Sequence, residues 1–567
     1  MLVATVVLIE MVAVSKLHRR LLTVMMVAMT TILAFAASPE TARAADAGAI
    51  TIGGDVATQY DAYQLFLATV TDKAGSDQKV ATDLAWASDA ARQAVLPVLY
   101  DAGFDSSAST AQEAAEWLNA DGHMSTALAA RLACAICNAG AASVPLNAGM
   151  AAELPCGCWL IVADDDAIDQ GEAGTVPIMA LVGGGAVTVK PKAASPKVAK
   201  HVLEDGTAAW QKAADATVAD DLYWRLSATV PAGLTAYDTY TVRFVDTMGA
   251  GLDPSKVAAS MRVYAAAGAD GGFDAVSAGR DGRAGTEPAK GWTDITAQCA
   301  TKVSVDGKTF TVRTGDLIAA LGGADAFTAG ARVVAVYNAP LSSTCSHGIA
   351  KGNPNEVYLR YPRSPLADQS GDAGFTRTSS DDACAYTWDL ALTKRGSDGD
   401  KPLAGAVLSI ADDRGRTLAA DGMWDAEGKA TVTTGEDGRV TVSSVDSGKL
   451  EVRELKAPKG YTAFEGARSV TVKAEGLDVD QVAAAKPKLT ITAESPLRAD
   501  SADGSTGSLE ASLINTPTGT PPSITTGGFM PSTGDMAMYA VAAAAVAGAA
   551  LIVVALLVKR GGGSHKE

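Results

Sequence analysis

The sequence predicts a mainly β protein, with several β-sandwich units in tandem between an N-terminal leader and a C-terminal membrane-spanning helix. Three observations carry that expectation. Glycine is abundant (56 of 567 residues) and aromatic residues make up only 5%, a composition suited to short strands joined by tight turns. Between residues 196 and 517, apolar residues repeatedly take alternate positions, the pattern of strands with one face turned inward. Near the end, residues 536–558 form an uncharged run rich in Ala, Val and Leu, and a run of roughly 20 residues can cross a hydrocarbon core.

Charge and histidine content narrow the function classes. The chain carries 64 Asp+Glu against 47 Lys+Arg, a net charge of −17. That argues against nucleic acid as a partner and suits a solvated extracellular surface. There are five histidines, and His18 and His565 fall in the terminal segments. A surface hydrolase lacks a nucleophile–histidine constellation to work with, and no cofactor is called for.

Residues 1–44 read as a secretory leader. Lys16, His18, Arg19 and Arg20 form its basic start, residues 21–37 its apolar stretch, and Ala42-Arg43-Ala44 its cleavage site. The mature chain then begins at Ala45. The first ten residues, apolar with a lone Glu10, do not fit this pattern, so Met11 is an alternative start.

Residues 45–192 form an N-terminal unit of mixed character. Strands are expected at 48–53 and 60–70, and Ala-rich helices within 83–137. Ser109 or Thr110 caps one helix, followed by Gln112, Glu113, Trp117 and Leu118; another runs through Leu128, Leu132 and Ile136. Strand returns at 154–162 and 176–189, so the reading is a β domain with a helical insertion. Cys134-x-x-Cys137 and Cys156-x-Cys158 lie here. In an exported chain they are expected to form disulfides, with the pairing open; a four-thiolate zinc site is the alternative. Cys299, Cys345 and Cys384 bring the total to seven, which leaves at least one unpaired within the chain.

Residues 196–384 form a second unit, with strands expected at 210–230, 238–246, 257–265, 308–313, 331–337 and 357–361. Residues 385–517 form a third, more compact β unit. Residues 518–529 make an extended Pro/Gly/Thr spacer. The terminal segment, 530–567, opens with Met530-Pro531-Ser532-Thr533-Gly534. It continues into the apolar run, and Lys559 and Arg560 hold the end of that run on the cytoplasmic side.

The chemistry lies where alternation places polar groups inside. In the third unit Tyr386, Trp388, Leu390, Leu392 and Lys394 share a face; so do Leu450, Val452 and Glu454, and Leu509, Ala511, Leu513 and Asn515. Each apolar row ends in a polar residue whose burial is costly unless it is paired or neutralised. Burial lowers a lysine pKa and raises a glutamate pKa, which leaves a free amine beside a protonated acid. The amine can attack the asparagine carboxamide while the acid polarises it and carries protons to the departing ammonia. The product is a neutral Lys–Asn isopeptide bond. The competing reading is a set of solvated strand ends, where Lys and Asn are common. The second unit repeats the layout. Lys200 lies among Val198 and Val202, Asp246 follows Tyr240, Val242 and Phe244, and Asn355 precedes Val357, Leu359 and Tyr361. Lys197 and Asn353 are the alternatives to Lys200 and Asn355.

These residues sit in stretches that resemble known modules. Leu403-Ala404-Gly405-Ala406, the run from Glu454 through Ala457-Pro458-Lys459-Gly460-Tyr461, and Ile514-Asn515-Thr516-Pro517 resemble the B-type domains of collagen adhesins. The resemblance implies that Lys394 and Asn515 are joined with the help of Glu454. The second unit, with Gly352-Asn353-Pro354-Asn355, resembles the A-type domain of fimbrial isopeptide-forming proteins. There an aspartate, here Asp246, serves as the acid. The stretch Val187-Thr188-Val189-Lys190-Pro191-Lys192 resembles the pilin motif of shaft subunits, with Lys190 where that motif has tyrosine. The pentad at 530–534 resembles the Leu-Pro-x-Thr-Gly sorting signal of Gram-positive surface proteins, with Met530 in place of leucine.

Taken together, the chain resembles the sortase-assembled major pilins of Gram-positive bacteria. That resemblance implies Ig-like sandwich domains and a structural, non-enzymatic role. A pilin-type sortase would cleave between Thr533 and Gly534 and hold Thr533 as a thioester. Lys192 of the next identical subunit would resolve that thioester, and repetition would build a fimbria whose last subunit passes to peptidoglycan. Minor pilins and host surface ligands are the further partners implied. The rival reading is a wall-anchored monomeric adhesin in which Lys192 is inert.

Overall fold

The computed structural model describes residues 47–519, except 55–56, 121, 192–194, 233, 269–290, 305–306 and 324–329, together with a two-residue strand at Ala34–Phe35. The rest of the expected leader, Lys192, the spacer beyond 519, Thr533, Gly534 and the terminal apolar run lie outside the described residues. Among the described residues no helix is long and apolar enough to cross a membrane. Among the described residues strands dominate, arranged in six sheets.

In the N-terminal part the long strand Gln59–Asp72 pairs antiparallel with Lys79–Trp86, Val144–Asn147 and Gly157–Ala163, and the last of these pairs with Ile178–Val182. A smaller sheet sets Ala47–Ile52 between Ala151–Pro155 and Val187–Val189. Every residue of Gly157–Ala163 is buried, because both of its faces are covered. Cys158, Leu160 and Val162 pack on the helical side, and Trp159, Ile161 and Ala163 against the smaller sheet. The expected continuous strand at 154–162 is interrupted at Cys156, between Ala151–Pro155 and Gly157–Ala163. A Cβ at Gly157 would lie 2.1 Å from the Phe66 carbonyl oxygen, so only glycine lets the two backbones approach.

Three helices, Asp89–Asp101, Ala111–Asn119 and Thr126–Asn138, form the insertion. Each begins on a hydroxyl cap: Ser88 accepts from Ala91 N, Ser125 from Leu128 N, and Thr110 forms a capping box with Glu113. Such caps satisfy amides that a helix start leaves without partners. The expected cysteine pairing is not formed. No disulfide joins the seven cysteines in this structure: Cys134 is exposed on the last helix, Cys137 is half-buried, and Cys156 and Cys158 are buried. Cys134 and Cys137 sit on a helix, whereas Cys158 points from the all-buried strand into the helix-side core. The four thiols also do not gather into a metal-sized group.

The middle part is a two-sheet sandwich. One sheet runs Ala209–Gln211, Lys197–Glu204, Tyr223–Val230, Ala331–Asn338, Arg262–Ala267 and Thr293–Asp294. The other runs Ala213–Asp215, Asp381–Tyr386, Asn353–Pro362, Arg243–Met248, Thr309–Arg313 and Ala300–Val303, with Phe375–Arg377 beside Asn353–Pro362. Three expected strands differ. Of the stretch 238–246 only the part from Arg243 is strand. The stretch 210–230 is three strands, since the chain passes from one sheet to the other at Lys212. The stretch 257–265 opens as helix over Val257–Ser260, because Asp253 caps a turn with Pro254 at its first position. Pro at that position is pre-set for helix.

The C-terminal part again has two sheets. Trp388–Gly396 lies between Arg439–Val445 and Ser508–Pro517, and Ser508–Pro517 also pairs with Leu497–Asp503 and Tyr461–Thr462. Facing them, Val407–Ala411, Gly448–Lys456, Ala467–Glu475 and Lys488–Ala493 stand side by side. Their inner rows form one core around Trp388, Leu408, Val452, Val470 and Leu513. Asp215 ties this part to the middle sandwich by accepting from Trp388 Nε1 at 2.7 Å and Ser447 N at 2.9 Å.

Candidate functional site

Two buried polar clusters stand out, one inside each sandwich. In the C-terminal part Trp388–Gly396 and Ser508–Pro517 run parallel, with Lys394 opposite Leu513 and Gly396 opposite Asn515. Lys394 and Asn515 are therefore diagonal neighbours on the inner face. Lys394 Nζ donates to Asn515 Oδ1, and more weakly to Leu513 O at 3.4 Å. Glu454 reaches in from the facing sheet. Its Oε1 is 3.4 Å from Lys394 Nζ, and its two oxygens accept from Asn515 Nδ2 at 2.9 and 3.1 Å. Phe464 N also donates to Oε2, at 3.1 Å. The side chains of Lys394 and Glu454 are both 0% exposed. Burial pulls the Lys394 amine down to about 8, although the Glu454 carboxylate opposes that shift. A substantial share of free amine next to an amide is the condition for attack on the amide carbon.

In the middle sandwich the same three residue types are arranged differently. Lys200 lies on one sheet; Asp246 and Asn355 lie on adjacent strands of the other, where Asp246 pairs with Val357 and Met248 with Asn355. A bond from Lys200 to Asn355 would stitch the two sheets together, whereas one from Lys394 to Asn515 would fasten neighbouring strands. Lys200 Nζ is ion-paired with Asp246, and both side chains are 0% exposed. Burial lowers the Lys200 amine to about 8 against the pull of Asp246, and burial raises the Asp246 carboxyl. Both shifts favour the neutral forms. The Lys200 backbone is held in turn: Lys212 Nζ donates to Lys200 O at 2.8 Å, and Lys200 N donates to Asp381 Oδ2 at 2.6 Å.

Tyr337 is a member of this cluster that the reading of the sequence did not find. It lies on Ala331–Asn338, fully buried. Its oxygen is 2.9 Å from Lys200 Nζ, 3.0 Å from Asp246 Oδ2 and 2.8 Å from Asn355 Nδ2. The signal was present: Ala331, Val333, Ala335 and Tyr337 form one more inward row ending in a polar atom, and a buried tyrosine hydroxyl requires a partner.

The alternative residues lie elsewhere. Lys197 is exposed. Asn353 is buried, but its amide is bonded to Ser346 N, Ser346 O and Ala385 O, so it braces a loop away from Lys200. In the pilin-like stretch, Val187–Val189 is a strand with Val189 buried and Thr188 exposed, and Lys190 is exposed beyond it.

Comparison with known proteins agrees with this arrangement in part of the chain. Residues 389–486 match the family described as SpaA, a prealbumin-like fold domain. A 120-residue stretch is 32% identical to the trypsin-resistant surface T6 protein of Streptococcus pyogenes serotype M6, covering 20% of this chain and 20% of that protein. The chain thus spans about a fifth of that relative's length. Among solved structures, the T6 backbone pilin of serotype M6 S. pyogenes aligns with a TM-score of 0.43 at 15% identity, over 85% of this chain and 100% of that one. The full-length major pilin SpaD from Corynebacterium diphtheriae aligns at 0.41 and 14%, over 83% and 98%. Through its SpaA-type prealbumin-like domain and its T6-like stretch, the chain is similar to the backbone pilins of Gram-positive bacteria.

Proposed function

We propose that this chain is the structural shaft subunit of a Gram-positive surface pilus, stabilised by two autocatalytic Lys–Asn isopeptide bonds. The carrying observation is the pair of fully buried lysine–acid–asparagine clusters, one per sandwich. In each, a lysine amine with a lowered pKa faces an asparagine amide and a carboxyl group. Lys200 and Lys394 are the nucleophiles, Asn355 and Asn515 the acceptors, and Asp246 and Glu454 the acids. In these terms the middle unit is the A-type and the last unit the B-type sandwich. Each reaction forms an Nζ–Cγ bond, breaks the Cγ–Nδ2 bond and releases one ammonia.

The other half of the function is polymerisation. A pilin-type sortase cleaves between Thr533 and Gly534, Lys192 of a second copy takes the acyl group, and the finished fibre passes to peptidoglycan. What supports this step is the order of sequence features: a leader, the Lys190-Pro191-Lys192 stretch, the pentad, the apolar run and the basic tail. In cell-wall extracts the wild-type chain should run as a ladder of covalent multimers, and Lys192→Ala should collapse that ladder to wall-attached monomer. An unchanged ladder would remove Lys192 as acceptor and make Lys190 the next residue to test.

A further inference from the structure

We propose that Tyr337 is a catalytic residue of the middle unit's cross-linking reaction, relaying a proton from the attacking nitrogen of Lys200 to the leaving nitrogen of Asn355. The inference rests on the isopeptide reading above and goes beyond it, because it gives the two units different chemical routes to the same bond.

The two clusters handle their acid differently. In the C-terminal unit Glu454 accepts directly from Asn515 Nδ2, at 2.9 and 3.1 Å, so acid and leaving group touch. In the middle unit the hydrogen bonds of Asp246 run to Lys200 and Tyr337, through Oδ2, and its Oδ1 has no partner. The amide of Asn355 instead meets Tyr337 at 2.8 Å, and its Oδ1 also has no partner. Tyr337 is therefore the atom bridge between all three groups. Its oxygen stands 2.9 Å from the nitrogen that must lose a proton and 2.8 Å from the nitrogen that must gain one.

The step balances without any outside reagent. The neutral Lys200 amine attacks Cγ of Asn355, the Nζ–Cγ bond forms, and the carbonyl electron pair moves onto Oδ1. One Nζ proton passes to the Tyr337 oxygen as the Tyr337 hydroxyl proton passes to Nδ2. The electron pair on Oδ1 then returns, the Cγ–Nδ2 bond breaks, and ammonia leaves with the proton it received. At rest the Tyr337 hydroxyl donates to Asp246 Oδ2 at 3.0 Å and accepts from both nitrogens; it turns its proton to Nδ2 once attack at Cγ has left that nitrogen with a free electron pair. Tyrosine and aspartic acid end as they began. A phenol is suited to this position because one hydroxyl can accept from one nitrogen while donating to another. Its ring also fills the core against Phe310, with ring centroids 4.8 Å apart.

Tyr337→Phe removes the hydroxyl and keeps the ring. The C-terminal unit of the same chain is an internal control, since Lys394, Glu454 and Asn515 form their cluster without a tyrosine. Newly synthesised full-length chain would be followed by intact mass and by mapping of the linked peptides. Wild type is expected to lose two ammonias. Tyr337→Phe should lose the C-terminal ammonia at the wild-type rate and the middle one at least about 100-fold more slowly, the usual contribution of a positioned proton-transfer group. A middle-unit bond formed at the wild-type rate in Tyr337→Phe would overturn the relay. Absence of the middle-unit bond in wild type would instead overturn the isopeptide reading itself. Should Tyr337→Phe fail to fold, chain made with ring-fluorinated tyrosine keeps the shape and acidifies the phenol. The relay predicts an altered rate in the middle unit only, and equal rates in both units with and without fluorine would contradict it.

Discussion

Replacing Glu454 by glutamine isolates the contribution of the C-terminal cross-link. The substitution keeps the side-chain volume and a hydrogen-bonding partner for the Asn515 amide, but it removes the group that can hold and return a proton. Lys394 and Asn515, 121 residues apart in sequence, should then stay unlinked. Closing a loop of that length lowers the entropy of the unfolded chain by an amount worth about 5 kcal/mol at 25 °C, by the relation used for disulfides. For a unit of this size a loss of about 5 kcal/mol corresponds to a fall in Tm of roughly 15–25 °C. Calorimetry of wild type and Glu454→Gln, with intact mass measured on the same samples, reads both consequences. The variant should regain one ammonia, and only the C-terminal transition should move. The reasoning fails if the variant still lacks that ammonia, or if the ammonia returns and the transition stays in place.

Two further outcomes follow from the clusters. Asn515→Ala leaves Lys394 buried beside Glu454 with no bond to form. Its folded pKa of about 8 lies below the ordinary 10.5, so between these values the unfolded chain binds more protons and stability rises with pH. The unlinked unit should gain up to ~3 kcal/mol from pH 8 to 10.5; denaturant titrations across that range measure it, and Lys394→Met should flatten the curve. In the middle unit, Asn355→Ala should restore one ammonia to the intact mass while Asn353→Ala leaves both missing, because the Asn353 amide is engaged with Ser346 and Ala385.

Much of the fold and the site was legible because alternation is a local signal. The inward rows Trp388–Leu390–Leu392–Lys394 and Leu509–Ala511–Leu513–Asn515 are buried position by position, since the two-residue strand period fixes which side chains turn inward. The period does not say which strands lie opposite. Nothing local indicates that Lys200 faces Asp246 across a sandwich while Lys394 lies diagonal to Asn515 within one sheet. Tyr337 was missed for a related reason: a tyrosine ending an apolar row passes for core until the groups across from it are known. The stretch at 257–265 was misread because Val257 and Val263 suit a strand, whereas the Asp253–Pro254 cap sets the local backbone first. Export favours disulfides in general but does not say which thiols meet, and Cys134 lies exposed on a helix while Cys158 is buried in a strand.

Both buried clusters should have reacted in the mature protein. The intact mass of the secreted chain, cut upstream of Thr533 and measured without reduction or digestion, tests it most directly. The expected mass is two ammonias below that of the sequence, with linked peptides carrying Lys200–Asn355 and Lys394–Asn515. A mass equal to that of the sequence would contradict it in both units.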